Sequence, residues 1–292
     1  MRETTTTMLR RYAAGLLLAA AGLAQGQTLP PGLSWIARDA AGAWNLYRVD
    51  AARGVVRLPT ELEPRQACVS ADGTRAVYTA ADGTLRTIDA GRESVLARPD
   101  AKRAYTQPCL DSAGRDVVAV EMADGKSIDT EIMRFGTGGG EPSRIARQPG
   151  AQHDPFLYRG RWLAYANVHC SDGCERLIVE IWSRDLVAAE ARQLTLLNAL
   201  SQAPVTDGRR VVFSSNASGT FQLWEVGLDG SGLRRLTDGS AQATQPALCG
   251  GQLLFVRATP QGAAIARLEA DGRVTEIPVP GHNAVRALRC LS

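Results

Sequence analysis

Lysine is almost missing from this chain. Of its 33 basic residues only Lys102 and Lys126 are lysine, and the arginines that take its place are so scattered that codon bias explains them better than anion recognition does. Histidine is equally scarce: His153, His169 and His282 are the complete set. A site built from several imidazoles therefore has little to draw on. No apolar run reaches the ~20 residues needed to cross a bilayer as a helix. There is no nucleophile elbow, Walker loop, HExxH or paired-carboxylate signature. The glycine run Gly138-Gly139-Gly140 has no helix after it and so lacks the N-terminal dipole of a phosphate cradle. Net charge is low as well. The formal +3 owes +2 to Arg2, Arg10, Arg11 and Glu3, which leaves about +1 on the remainder and no electrostatic footprint for nucleic acid.

What is present begins with an address. Arg10 and Arg11 precede an Ala/Leu/Gly-rich apolar run of 13 residues, Tyr12 to Ala24, that ends in the small residues around Ala24-Gln25-Gly26. This is the pattern of a cleavable secretory signal, with cleavage expected after Ala24 or Gly26. The chain divides into a signal peptide, 1–26, and one mature domain, 27–292. No cysteine follows the run directly, so a lipid anchor is not expected. Six cysteines, an even number in an exported chain, read as disulfides.

The mature part is a repeat. Its clearest copy is Val211 to Thr237, where the β-branched run Val211 to Ser215, a turn at Asn216 to Gly219, the strand Phe221 to Val226, an Asp229-Gly230 turn and Leu233 to Thr237 follow one another. Equivalent second strands centre on Trp35, Tyr78, Ala119, Tyr165, Phe213 and Phe255, spaced 43, 41, 46, 48 and 42 residues apart. A period in the forties built from short strands is the signature of a propeller blade. Innermost strands are expected at Gln66, Gln107, His153, Gln202 and Gln245, just before the second strands. The first copy has none, while Ala284 to Ser292 is a strand-like tail without a blade. That tail is expected to become the innermost strand of blade 1 and close the ring, which removes the free sheet edges of an open stack. The fold class is all-β, a six-bladed β-propeller closed by the C-terminal strand.

The order strand, Asn/Asp/Gly hairpin, strand, Asp-Gly turn, Arg-Arg-Leu-Thr at Arg234 to Thr237 resembles the blade of TolB-like β-propellers. Pro108, Pro155, Pro204 and Pro246 stand where that family has a proline before a polar turn. The resemblance covers roughly Leu33 to Ser292. It does not extend to the N-terminal α/β domain that TolB carries, so it implies the propeller rather than the TolB role.

Cys68 and Cys109 fall at equivalent places on adjacent innermost strands, and so do Cys249 and Cys290. Each pair is expected to bridge neighbouring blades. Cys170 and Cys174 would close the tip of the blade 4 hairpin; beside His169 they offer three ligands, one short of a tetrahedral zinc site. No metal or other cofactor is expected. The channel mouth is expected to present a polar ring of Gln66, Gln107, His153, Asp154, Gln202, Gln245, His282 and Asn283, with His153 and His282 too far apart to share an ion. Two functions fit. One is a periplasmic or secreted, monomeric, non-enzymatic scaffold that binds an envelope protein or peptide at the mouth, without nucleic acid and without stable membrane insertion. The other, implied by related propellers, is a metal-dependent oligosaccharide lyase or hydrolase.

Overall fold

Short β-branched and aromatic segments separated by Asp, Asn and Gly turns can satisfy their backbone polar groups only by pairing with one another. In the computed structural model of this chain they do so as six antiparallel four-stranded sheets. The structure describes residues 28–124, 129–137, 140–146, 148–170, 176–279 and 284–291. The signal segment 1–26, Cys174 and the tip of its hairpin, and His282 with Asn283 lie outside the described residues, and so does the side chain of Cys170. Among the described residues every regular element is a strand, and no helix is long and apolar enough to cross a membrane.

Blade 1 contains β1 (Leu33–Arg38), β2 (Trp44–Asp50) and β3 (Gly54–Leu58). Blade 2 is β4 (Pro64–Val69), β5 (Arg75–Ala80), β6 (Leu85–Asp89) and β7 (Arg92–Ala97). Blade 3 is β8 (Arg103–Leu110), β9 (Asp116–Ala123), β10 (Thr130–Gly136) and β11 (Ser143–Arg144). Blade 4 is β12 (Gln152–Tyr158), β13 (Trp162–Cys170), β14 (Ile178–Asp185) and β15 (Glu190–Gln193). Blade 5 is β16 (Ser201–Thr206), β17 (Arg210–Ser215), β18 (Gln222–Gly227) and β19 (Arg234–Arg235). Blade 6 is β20 (Ala243–Cys249), β21 (Gln252–Thr259), β22 (Gly262–Leu268) and β23 (Val274–Ile277). The last strand, β24 (Val285–Cys290), pairs with β1 through Leu33 opposite Cys290 and Ala37 opposite Val285, giving blade 1 the order β24-β1-β2-β3. The ring therefore closes as the orphan tail implied.

The core lies between blades rather than within them. Trp35, Tyr78, Tyr165, Phe213 and Phe255, all on second strands, are fully buried against neighbouring sheets; blade 3 has Ala119 at this place. A strand covered on both faces reads as a continuous apolar run, which is why VVFSS and AVYTA do not alternate. Each such aromatic contributes about 2–3 kcal/mol by leaving water.

The Leu-Thr repeat has a specific cause. Thr195 Oγ1 accepts the Ile181 N–H at 2.9 Å, and Thr237 Oγ1 accepts the Leu223 N–H at 2.9 Å. Each hydroxyl then donates to a buried side chain on the third strand, Glu180 in blade 4 and Gln222 in blade 5. The threonine thus continues the ladder where the short outer strands β15 and β19 give out.

Candidate functional site

All six innermost strands begin at one end of the channel, and each is kinked there. Its register against the second strand slips by one residue. Five non-glycine residues at these bulges adopt left-handed backbone: Gln107, Asp154, Ala203, Gln245 and Ala287, with φ between 51° and 52°. For an L-residue this costs about 1–2 kcal/mol, and it swings the bulge N–H out of the ladder. In four blades the next residue is proline, which has no N–H to leave unpaired.

A chain of bonds from blade to blade satisfies three of these swung-out donors, those of Gln107, Asp154 and Ala203. Gln66 Oε1 accepts from Gln107 N at 2.7 Å and from Thr106 Oγ1 at 2.5 Å. Gln107 Oε1 accepts from Asp154 N at 2.8 Å, and Asp154 Oδ2 accepts from Ala203 N at 2.9 Å. Gln245 Oε1 accepts from Leu288 N at 3.2 Å, and the Arg286 guanidinium donates to Pro64 O at 3.2 Å. The ring of amides read from the sequence is therefore assembled, but Gln66, Gln107, Asp154 and Gln245 spend their acceptors on holding the blades together.

One link is missing among the described residues. Blade 5 has Ala203 at the place from which Asp154 reaches forward, so no side chain caps the Gln245 N–H. Ala203→Asp is expected to complete the ring, since aspartate tolerates left-handed backbone better than alanine and adds about 1 kcal/mol of hydrogen bonding. A rise of about 2–4 °C in the unfolding midpoint should follow. An unchanged or lower midpoint in thermal unfolding would show that the ring bonds do not stabilise.

The mouth itself is a cavity of about 350 Å³ lined by Arg65, Gln66, Gln107, Asp154, Gln202, Gln245, Arg286 and Arg289 among others. After the ring bonds are made, its remaining groups are mainly donors. Arg65 is exposed and Gln202 half-buried; neither has a hydrogen-bond or ion-pair partner among the described residues. Arg289 donates to its neighbour's carbonyl, Leu288 O, at 3.1 Å. Burial pulls its guanidinium below the ordinary arginine range, and attraction to Asp154 opposes this; an arginine so placed stays cationic. Arg286 lies 3.8 Å above the Trp44 ring, which Arg38 also faces at 5.3 Å. Burial lowers Arg286 too, Glu63 opposes, and repulsion from Arg65 and Arg38 adds to the lowering.

His153 lies on β12 opposite Ala166, half-buried, and His169 is exposed at the far end of β13. Among the described residues no three His, Cys, Asp or Glu side chains converge on one point. Cys68 and Cys109 are bridged with Cα atoms 4.8 Å apart, as are Cys249 and Cys290 at 5.5 Å. Both bridges join neighbouring innermost strands and match an oxidising compartment. The arginines were the group the sequence reading passed over. Their one local signal is in the tail, where Arg286 and Arg289 flank Ala287, the counterpart of Gln245.

No family model matches the chain, and no curated protein matches it. Solved structures do. A TolB-type protein from Agrobacterium tumefaciens is 17% identical, with a TM-score of 0.63 over 86% of this chain and 92% of that one. TolB from Acinetobacter baumannii is 13% identical, with a TM-score of 0.68 over 88% of this chain and 65% of that one. An oligogalacturonate lyase in complex with manganese is 14% identical, with a TM-score of 0.59 over 84% and 78%. Identities this low carry the fold alone, and that fold is the six-bladed TolB-like β-propeller, closed by its C-terminal strand.

Proposed function

We propose that this chain is an exported, non-enzymatic binding protein of the cell envelope, a monomeric propeller that holds a protein or peptide at its channel mouth. One observation carries the reading. One oxygen of the Asp154 carboxylate and the acceptors of three amides of the mouth are engaged in blade-to-blade hydrogen bonds, and the charged and amide groups that line the cavity beside them are Arg65, Arg286, Arg289 and Gln202. Guanidinium and amide donors recognise and orient a ligand; they do not shuttle protons at neutral pH. Export to the periplasm is supported by the signal-like segment 1–26 and by the two interblade bridges.

The test is a photoreactive residue in place of Gln202, in protein expressed in its native envelope, with the same residue at Arg92 on an outer strand as the control. A discrete light-dependent adduct at position 202 and not at 92, identified as one protein that rebinds the purified propeller, is the expected result. Stoichiometric manganese, zinc or calcium in the purified protein together with turnover of an oligosaccharide would overturn the reading in favour of a lyase or hydrolase.

A further inference from the structure

We infer that Arg38, Arg65, Arg286 and Arg289 form a carboxylate-binding subsite at the channel mouth, and that its occupant is an Asp or Glu side chain on an extended segment of a partner protein. This rests on the binding reading above and names its chemistry. The four arginines are far apart in sequence and come together because the ring joins the last strand to the first two blades. Thirteen other arginines make ion pairs with carboxylates within 4 Å. None of these four does so among the described residues, and neither do ten others; what sets the four apart is their gathering at the mouth and around Trp44. The opposing charges nearby are Glu63, which acts on Arg286, and Asp154, which acts on Arg289. Asp154 already has one oxygen engaged by the Ala203 N–H.

Arg286 is built as a fixed fork. Its plane rests on Trp44, one NH group is tied to Pro64 O, and its Nε is buried with no hydrogen-bond partner. Holding a guanidinium this way removes the rotamer entropy that binding would otherwise cost. Like charges held together in a partly desolvated mouth repel, as Arg38 and Arg65 do with Arg286, and an arriving carboxylate relieves that repulsion while accepting charge-assisted hydrogen bonds.

The cavity excludes a folded domain, and one further feature selects a peptide over a free small anion. A cavity of about 350 Å³ admits a side chain or a chain end but not a folded domain. At the same end of the molecule, a second hollow of about 310 Å³ lies between blades 4 and 5, lined by Leu177, Leu197, Leu200 and Ala217 among others. Beside it Leu177 and Leu196 are 53% and 74% exposed. Leu196 is six residues before Gln202, so the apolar rim lies within about 20 Å of the blade 5 side of the mouth, with the subsite on its blade 1 and blade 2 side. An extended peptide with a carboxylate and an apolar side chain engages both; a small carboxylate engages only one.

The experiment uses the mature oxidised chain and an immobilised positional-scanning library of ten-residue peptides. Enrichment of Asp or Glu at one position, with an apolar residue preferred at a second, is expected. For the best peptide, Arg65→Gln should weaken Kd about tenfold or more, Glu→Gln in the peptide should do the same, and the two changes together should cost little more than either alone. Arg65 is exposed and unbonded, so its variant folds; Leu196→Ser should weaken the same peptide independently. Peptides retained without acidic preference and indifferent to Arg65→Gln would overturn the carboxylate subsite while leaving the binding reading intact. Retention of no peptide at all would overturn both. Succinate binding as tightly as the best peptide, with the same dependence on Arg65, would make the occupant a free small carboxylate and overturn the peptide assignment.

Discussion

Cys290→Ser is expected to lower the unfolding midpoint of the oxidised protein more than Cys68→Ser, and more than Cys174→Ser. The two described bridges each span 41 residues, so their effect on the unfolded chain is equal, about 4 kcal/mol apiece by loop-closure entropy. A bridge between Cys170 and Cys174, expected from the sequence and outside the described residues, would yield about half of that by the same relation. What separates the two larger bridges is the folded side. Cys68 and Cys109 join β4 to β8, two strands already linked through the rest of blade 2. Cys249 and Cys290 join β20 to β24, likewise linked through the rest of blade 6, but β24 is the strand that closes the ring: besides this bridge it is held by its pairing with β1, by side-chain packing and by the Gln245–Leu288 and Arg286–Pro64 hydrogen bonds. Cys290→Ser therefore loses the unfolded-state constraint and also frees the seam to open on its own, a sub-global event of the kind that hydrogen exchange detects. A fall of about 8–16 °C is expected, with faster amide exchange in β24 and β1, and reduced wild type as the control. The idea fails if non-reducing peptide mapping finds Cys290 free or paired with Cys68 or Cys109, or if Cys68→Ser is equally damaging.

That closure was legible in the sequence because it is a counting problem. Five innermost strands and one orphan tail leave a single economical solution, and the cysteines fall at matching places in it. The second strands were legible because burial on both faces leaves an aromatic or aliphatic run with a fixed period. The bulges were not. Gln107, Asp154 and Gln245 carry no glycine to advertise left-handed backbone, and their side chains are polar for a reason that appears only when the neighbouring blade is in place: they cap a donor on the innermost strand of the next blade, more than 40 residues away in sequence. The polar ring expected from the sequence lines one cavity, and its blade-to-blade bonds are what the sequence does not display. The arginine cluster was invisible for a related reason, since Arg286 joins Arg38 at the Trp44 ring only after the closing strand pairs with blade 1. His282 and Asn283, from the same reading, lie outside the described residues.

The same architecture makes one glycine far less replaceable than another. Gly150→Ala is expected to destabilise by more than about 3 kcal/mol, and Gly73→Ala by about 1–2 kcal/mol. Both glycines have left-handed backbone, φ +88° and +71°, so the conformational penalty of a Cβ is shared. The difference is what the new atom meets. At Gly73 it would lie 2.2 Å from the guanidinium of Arg48, the end of a flexible side chain that can swing aside at the expense of its 2.7 Å ion pair with Asp50. At Gly150 it would lie 2.2 Å from Val168 O, and that carbonyl has nowhere to go. Val168 N donates to Ala151 O at 2.8 Å, and Asn167 Nδ2 donates to both Val168 O and Pro149 O. Gln152 Nε2 holds Gln148 O, Gly150 O and Asn167 Oδ1 together. Both amides are buried, so relieving the clash means stranding several polar groups away from water, each at about 1–3 kcal/mol. The damage should also reach the mouth. Gly150 leads directly into β12, and a displaced β12 carries Asp154 with it, breaking the bonds from Gln107 to Asp154 and from Asp154 to Ala203 that fasten blade 4 to its neighbours. Urea unfolding of the two variants beside wild type makes the comparison. Equal losses would mean that backbone strain alone sets the cost and that the amide knot behind β12 is not rigid.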